Sequence, residues 1–167
     1  MTRILAVLGI VLLTFACAGR TGVNAYCPMS KRGGYQEEEV APGVWRILAR
    51  SNGNAGAGYA RNMAEYRAGE LLKARGFSHV QMLAEIGRWK LGEDLGRGER
   101  RVLSDQMAVT VRGAHNGSPP TDCRTSNRSS CYTQRTDAMM AGALSALKFP
   151  KGRTPHVEPD SQLSLKR

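Results

Sequence analysis

The chain has 167 residues, with 24 Lys and Arg against 14 Asp and Glu, a formal charge of +10 and a pI near 10.0. That length allows one modest core once a leader and a tail are set aside, and it leaves no room for a second domain. The basic residues are scattered from Lys31 to Arg167 without a dense block or interleaved aromatics, which argues against a nucleic-acid surface. A solvated basic surface, or attraction to an anionic component of the cell envelope, accounts for the charge.

Met1-Thr2-Arg3 is a short positive start, and Ile4 to Phe15 is an almost unbroken apolar run closed by small residues. Residues 1–18 therefore read as a bacterial export signal; the run is shorter than the roughly 20 residues that cross a bilayer. Two processing routes fit. Ala16-Cys17-Ala18 satisfies the small-x-small rule for ordinary cleavage after Ala18, and Val23-Asn24-Ala25 is a later candidate. Alternatively, Cys17 behind Ala16 resembles a lipobox, in which the cysteine is acylated and anchors the protein in the membrane. Thr14 stands where a lipobox normally has Leu.

Residues 19–32 read as a tether, 33–149 as an α+β domain and 150–167 as a polar, disordered tail. Gln36 to Val40 suits an edge strand, and Glu37-Glu38-Glu39 is expected to be solvated, because successive strand residues point to opposite faces. Pro42-Gly43 then turns the chain into the segment that specifies itself best. In Val44 to Arg50, Trp45, Ile47 and Ala49 share one face, and Arg46 and Arg50 share the other. Ser51 or Asn54 offers a cap to the helix that follows, in which Ala60, Met63, Ala64, Ala68, Leu71 and Leu72 recur at helical spacing. Lys73, Arg75 and Gly76 mark its end, with Phe77 folding back on Leu72. Val80, Met82, Ala84 and Ile86 give the next strand one apolar face, and Leu91 to Arg101 reads as a connection.

Val102 to Arg112 is a further strand, with Leu103, Met107, Val109 and Val111 on one side. His115 to Ser130 is polar and turn-forming. Met140, Ala143, Leu144 and Leu147 make a second helix that starts near Thr136 or Asp137 and stops at Pro150. The expected architecture is a single α+β domain: three or four mostly antiparallel strands with two helices on one face, and one pair parallel through the central βαβ step.

Several of these residues together resemble a family of small uncharacterised bacterial envelope lipoproteins. The resemblance covers about residues 33–90. It rests on Gly33-Gly34-Tyr35, on Pro42-Gly43-Val44-Trp45-Arg46 and Asn52-Gly53, and on a helix carrying Tyr66-Arg67-Ala68-Gly69-Glu70-Leu71 that closes at Gly76-Phe77. Asp137 to Leu147 looks like the family's closing helix. The resemblance implies a lipid-anchored protein on the outer membrane or the periplasmic face of the envelope, with no assigned enzymatic activity and no catalytic residues to carry over.

In an oxidising compartment Cys123 and Cys131 are expected to close a disulfide loop, leaving Cys27 odd, free or intermolecular. A metal site near His115 lacks any CxxC or HxxxH spacing, so neither metal nor cofactor is expected. His79, His115 and His156 stand beside no nucleophile arrangement, and Glu65 with Glu70, or Asp105 with Glu85, read more simply as partners of the many arginines. Gly53, Gly56 and Gly58 lack both the P-loop and the Rossmann pattern. The functional expectation is a non-catalytic binding or structural module of the envelope, held at the membrane through Cys17. A small periplasmic or secreted enzyme or inhibitor, built on the Gly92–Gly98 and His115–Cys131 loops, is the alternative.

Overall fold

A computed structural model describes residues 25–93 and 100–149. The signal segment with Cys17, the tail 150–167 and most of the connection after Gly92 lie outside the described residues.

Among the described residues, five strands and two helices follow one another as β1 (Gly34–Ala41), β2 (Val44–Asn52), α1 (Tyr59–Lys73), β3 (His79–Glu93), β4 (Arg100–Ala114), β5 (Tyr132–Arg135) and α2 (Thr136–Leu144). The strands form one sheet in the order β1-β2-β4-β3-β5. Every neighbouring pair is antiparallel. Both helices pack on one face, as an α+β domain requires, but the expected parallel pair does not form. Strands β2 and β3, joined by α1, do run in the same direction; β4 inserts between them and pairs with both. The short β5 was not expected from sequence, because its four residues sit in a polar stretch too brief to show a period.

The core is made where the helix-side residues of β2 and β4, among them Ile47, Ala49, Val109 and Val111, meet Met63, Ala64, Ala68 and Leu72 of α1 and Met139, Met140 and Ala143 of α2. The two helices touch closely at Gly69, where a Cβ would stand 2.4 Å from Cγ of Met140. Helix α1 ends as its sequence indicates. Phe77 N–H donates to the Leu72 carbonyl at 3.0 Å and Gly76 N–H to Lys73 at 2.9 Å, with Gly76 at φ 82°, the paired bonds of a Schellman cap. Its start differs from expectation. Asn52 accepts from Asn54 N–H and caps only the 3-10 turn at Gly53–Ala55, while the N-cap of α1 is Gly58, which has no side chain to offer.

The periodicity of β3 is also corrected. A bulge lies between Met82 and Ala84, and one extra residue reverses which face the following side chains occupy. Met82 is in the core, but Ile86 pairs with Ala108 on the face away from the helices, and Glu85 comes over to the helix side.

The span 19–32, expected as a tether, is built into the domain from Ala25 onward. Tyr26 is fully buried; its N–H donates to the Lys148 carbonyl and its ring stacks on Tyr35 at 4.7 Å and meets Tyr66 edge-on at 5.0 Å. Gly34 has to be glycine for this contact, since a Cβ there would stand 2.6 Å from the carbonyl oxygens of Cys27 and Pro28. Cys123 and Cys131 are bonded to each other, as expected. Cys27 is disulfide-bonded as well and no described cysteine is free, so the odd, free cysteine expected from the count is corrected. Helix α2 stops at Leu144, ahead of Pro150.

Candidate functional site on the open face of the sheet

Among the described residues, two layers leave one side of the sheet without helices. Alternation along the strands, read through the pairing, decides which side chains stand there. Gln36 pairs with Leu48, Leu48 with Ala108, and Ala108 with Ile86, giving one row across four strands. Arg50 pairs with Gln106 and Gln106 with Arg88, giving the next row, followed by Ser104 with Lys90. Neighbouring strands are about 4.8 Å apart, so Arg50 and Arg88 stand about 10 Å from each other with an amide between them.

One end of this face is covered. Arg112 donates to Gln81 Oε1 at 2.8 and 3.0 Å and makes a two-pronged pair with Asp122 at 2.7 and 3.0 Å. Gln81 Nε2 and the Thr133 hydroxyl both donate to the Ser118 carbonyl. The carbonyl of the bulge residue Leu83 accepts from Arg124 N–H at 2.8 Å. The segment from His115 to Cys131 is therefore a flap tied down by its own disulfide, with Leu83 buried beneath it.

The remainder of the face is open to solvent and cationic. Arg46 has one partner, Glu38, at 3.2 Å with both side chains more than half exposed, and this exposed pair contributes little. Arg50, Arg88 and Lys90 are exposed and make no ion pair with a described residue. Beside them Gln36, Glu38, Arg46 and Leu48 line a shallow depression of about 220 Å³.

Titratable groups gather at two other places, both on the helix side. In the first, Arg67 holds Glu37 in a bidentate pair at 2.5 and 2.9 Å, reaches Glu70 at 3.0 Å and lies over the Tyr35 ring. The Tyr26 hydroxyl donates to the same Glu70 carboxylate. Burial, then the charge and hydrogen bond of Glu70, push the Tyr26 hydroxyl far above the ordinary tyrosine range. In the second, Arg61 bridges Glu65 at 2.7 Å and Glu85 at 3.1 Å, and the Tyr132 hydroxyl donates to Glu85. Burial, followed by the charges of Glu65 and Glu85, pushes the Tyr132 hydroxyl up to about 12. In each cluster the carboxylates are spent on an arginine and a phenol, an arrangement that joins elements. Glu65 and Glu70 are thus partners of arginine, as sequence indicated, and so is Glu85. Asp105 is different: buried on the helix side, it accepts from Ala60 N–H. The run Glu37-Glu38-Glu39 splits as alternation requires, Glu37 going to Arg67, Glu38 to Arg46 and Glu39 to the Gly43 N–H.

Ser78 Oγ donates its proton to the His115 carbonyl, with the His79 ring 2.9 Å away, and His115 packs on Phe77. Among the described residues no three His, Cys, Asp or Glu side chains gather to hold a metal. Sequence reasoning named Arg46 and Arg50 as a solvated face and missed Arg88 and Lys90 as its continuation. Without the bulge in β3, alternation gives no reason to align them with a strand two positions away in the sheet.

No family model matches this chain, and neither a curated protein nor a solved structure does.

Proposed function

We propose that this is an exported protein of the cell envelope that acts by binding, without catalysis, and that the open sheet face is its contact with an anionic envelope component. The observation that carries the reading is the row Arg50, Gln106, Arg88 with Lys90 beside it: three cations on a rigid sheet, exposed and without carboxylate partners among the described residues. Such charges supply attraction to any dense array of anions, falling as salt screens them over about 10 Å at moderate ionic strength. Export is supported by the apolar leader and by the Cys123–Cys131 disulfide, which suits an oxidising compartment. Attachment through an acylated Cys17 is the accompanying proposal for how the protein is held at the membrane, and that residue lies outside the described ones.

Retention of the purified protein on immobilised polyphosphate tests this reading. Replacing Arg50, Arg88 and Lys90 together with Gln is expected to weaken retention at low salt at least about tenfold and to flatten its salt dependence, each lost contact removing a little under one unit of slope. Retention unchanged by the triple substitution would remove the open face from the account.

A further inference from the structure

All four large hydrophobic side chains that are exposed among the described residues lie on one hairpin: Ile86 (59%), Trp89 (66%), Leu91 (46%) and Leu103 (49%). Strand β2 pairs with β4 only as far as Ser104, so beyond that point β3 and β4 continue as a two-stranded ribbon. A second bulge sits there, between Lys90 and Leu91, and leaves Leu103 as the extra residue, lying against Gly92. In Arg88-Trp89-Lys90-Leu91 cations alternate with apolar groups. Trp89, paired with Asp105, stands on the helix side of the hairpin with Leu91, and Arg88 and Lys90 stand on its open side with Ile86; of these only Leu91 lies in the two-stranded part, the others standing in rows that β2 backs.

We infer that the end of this hairpin enters the headgroup region of an anionic phospholipid bilayer, with Trp89, Leu91 and Leu103 at the boundary of the acyl chains and Arg88 and Lys90 among the lipid phosphates. The inference rests on the anion-binding reading of the open face and names its partner. Two features favour a bilayer over a folded protein. The hairpin is apolar on both of its faces, at Ile86 on the open side and at Trp89 and Leu91 on the helix side, whereas docking against a protein surface covers one; entry into a lipid interface covers both at once. Trp, Lys and Arg are also the side chains that suit that depth, the indole because it is amphipathic and the basic residues because long stems let their charges reach the phosphates.

The test uses vesicles of phosphatidylglycerol mixed with phosphatidylcholine, and vesicles of phosphatidylcholine alone, with the emission of Trp89 obtained as the difference between the full-length protein and its Trp89→Phe variant. The expected result is co-sedimentation with the anionic vesicles, a blue shift of the Trp89 emission, and loss of both as salt rises. The double variant Trp89→Ser, Leu91→Ser is expected to lose about tenfold in vesicle affinity while its retention on polyphosphate stays unchanged. Both side chains are exposed, so the variant keeps the fold, and the emission shift of the unaltered protein gives an independent reading. Retention on polyphosphate without vesicle binding, or vesicle binding without a shift, overturns the insertion and leaves the cationic face standing. Equal binding to phosphatidylcholine alone overturns the anionic requirement, and failure on both polyphosphate and vesicles overturns the functional reading beneath it. A shift produced by vesicle-free envelope proteins and not by lipid would make the occupant a protein and also overturn the inference.

Discussion

The Asp105 carboxylate, on β4, accepts a 3.1 Å hydrogen bond from the amide of Ala60 at the start of α1, across 45 residues of sequence. The helix begins at a glycine with nothing to cap it, and the sheet supplies the cap instead. A carboxylate at this place both satisfies an orphan donor and faces the positive end of the helix dipole. Asp105→Ala is expected to lower stability by about 1 to 2 kcal/mol, and Asp105→Asn, which keeps an acceptor, by less. Urea unfolding followed by circular dichroism reads both, and an unshifted midpoint for Asp105→Ala would remove the cap from the account.

The buried phenols make stability sensitive to alkali. Tyr26, Tyr59 and Tyr132 all have hydroxyls raised above the ordinary value of 10.0, chiefly by burial. A group whose pKa is raised on folding lends stability that is fully present below its unfolded pKa and is lost as pH climbs through the folded one. Stability should therefore hold up to about pH 10 and decline between there and about 12, the folded value of Tyr132. Tyrosinate absorbance of the native protein should lag behind that of the urea-unfolded chain over the same window. Coincident titration curves would contradict the burial of these side chains.

Tyr26 also anchors the N-terminal segment to α1 through Glu70. Tyr26→Phe keeps the ring stacking and removes that bond, and a loss of about 1 to 3 kcal/mol is expected because a charged acceptor loses its donor. Limited proteolysis ahead of Gly34 should quicken in this variant and leave the rest of the chain protected. Equal cleavage rates would show the stacking alone to be sufficient.

The Cys123–Cys131 bond closes a short loop, so Cys123→Ser should cost roughly 2 to 3 kcal/mol. Its local effect is more telling. The flap over Leu83 and Gln81 should gain amide exchange while the helix-side core keeps its protection, because the flap's other ties are an ion pair and a few hydrogen bonds. Uniform loss of protection would mean that the flap and the core form one cooperative unit.

Processing at the proposed anchor is read from the mature chain. The intact mass of the protein from membrane and soluble fractions, with and without reduction before alkylation, is expected to show a membrane-bound species that begins at acylated Cys17, with Cys123 and Cys131 alkylated only after reduction. A soluble species beginning at Gly19 would remove the anchor from the account.

Much of the domain was legible in the residues. Alternation in β2, the spacing of small and apolar residues in α1 and the cap at Gly76 each report a local preference, and local preferences are written in consecutive residues. The Cys123–Cys131 pairing was legible too, because a disulfide across a short polar loop needs little tertiary information. The proposed export rests on the leader together with that disulfide, and the proposed anchor at Cys17 on the leader alone.

What only tertiary structure decided involves partners far apart in the chain or a change of register between them. One residue inserted at the bulge after Met82 sends Ile86 outward and Glu85 inward, and no period in the sequence announces it. Placing β4 between β2 and β3 aligns Arg50 with Arg88, brings Asp105 under the start of α1 and leaves the end of the β3–β4 ribbon without a third strand. Likewise Tyr26 is buried because α1 and the stretch before Phe149 close around it, a contact between residues more than a hundred positions apart. Side-chain periodicity tells which residues share a face of one element; which elements then meet is settled by packing the whole chain.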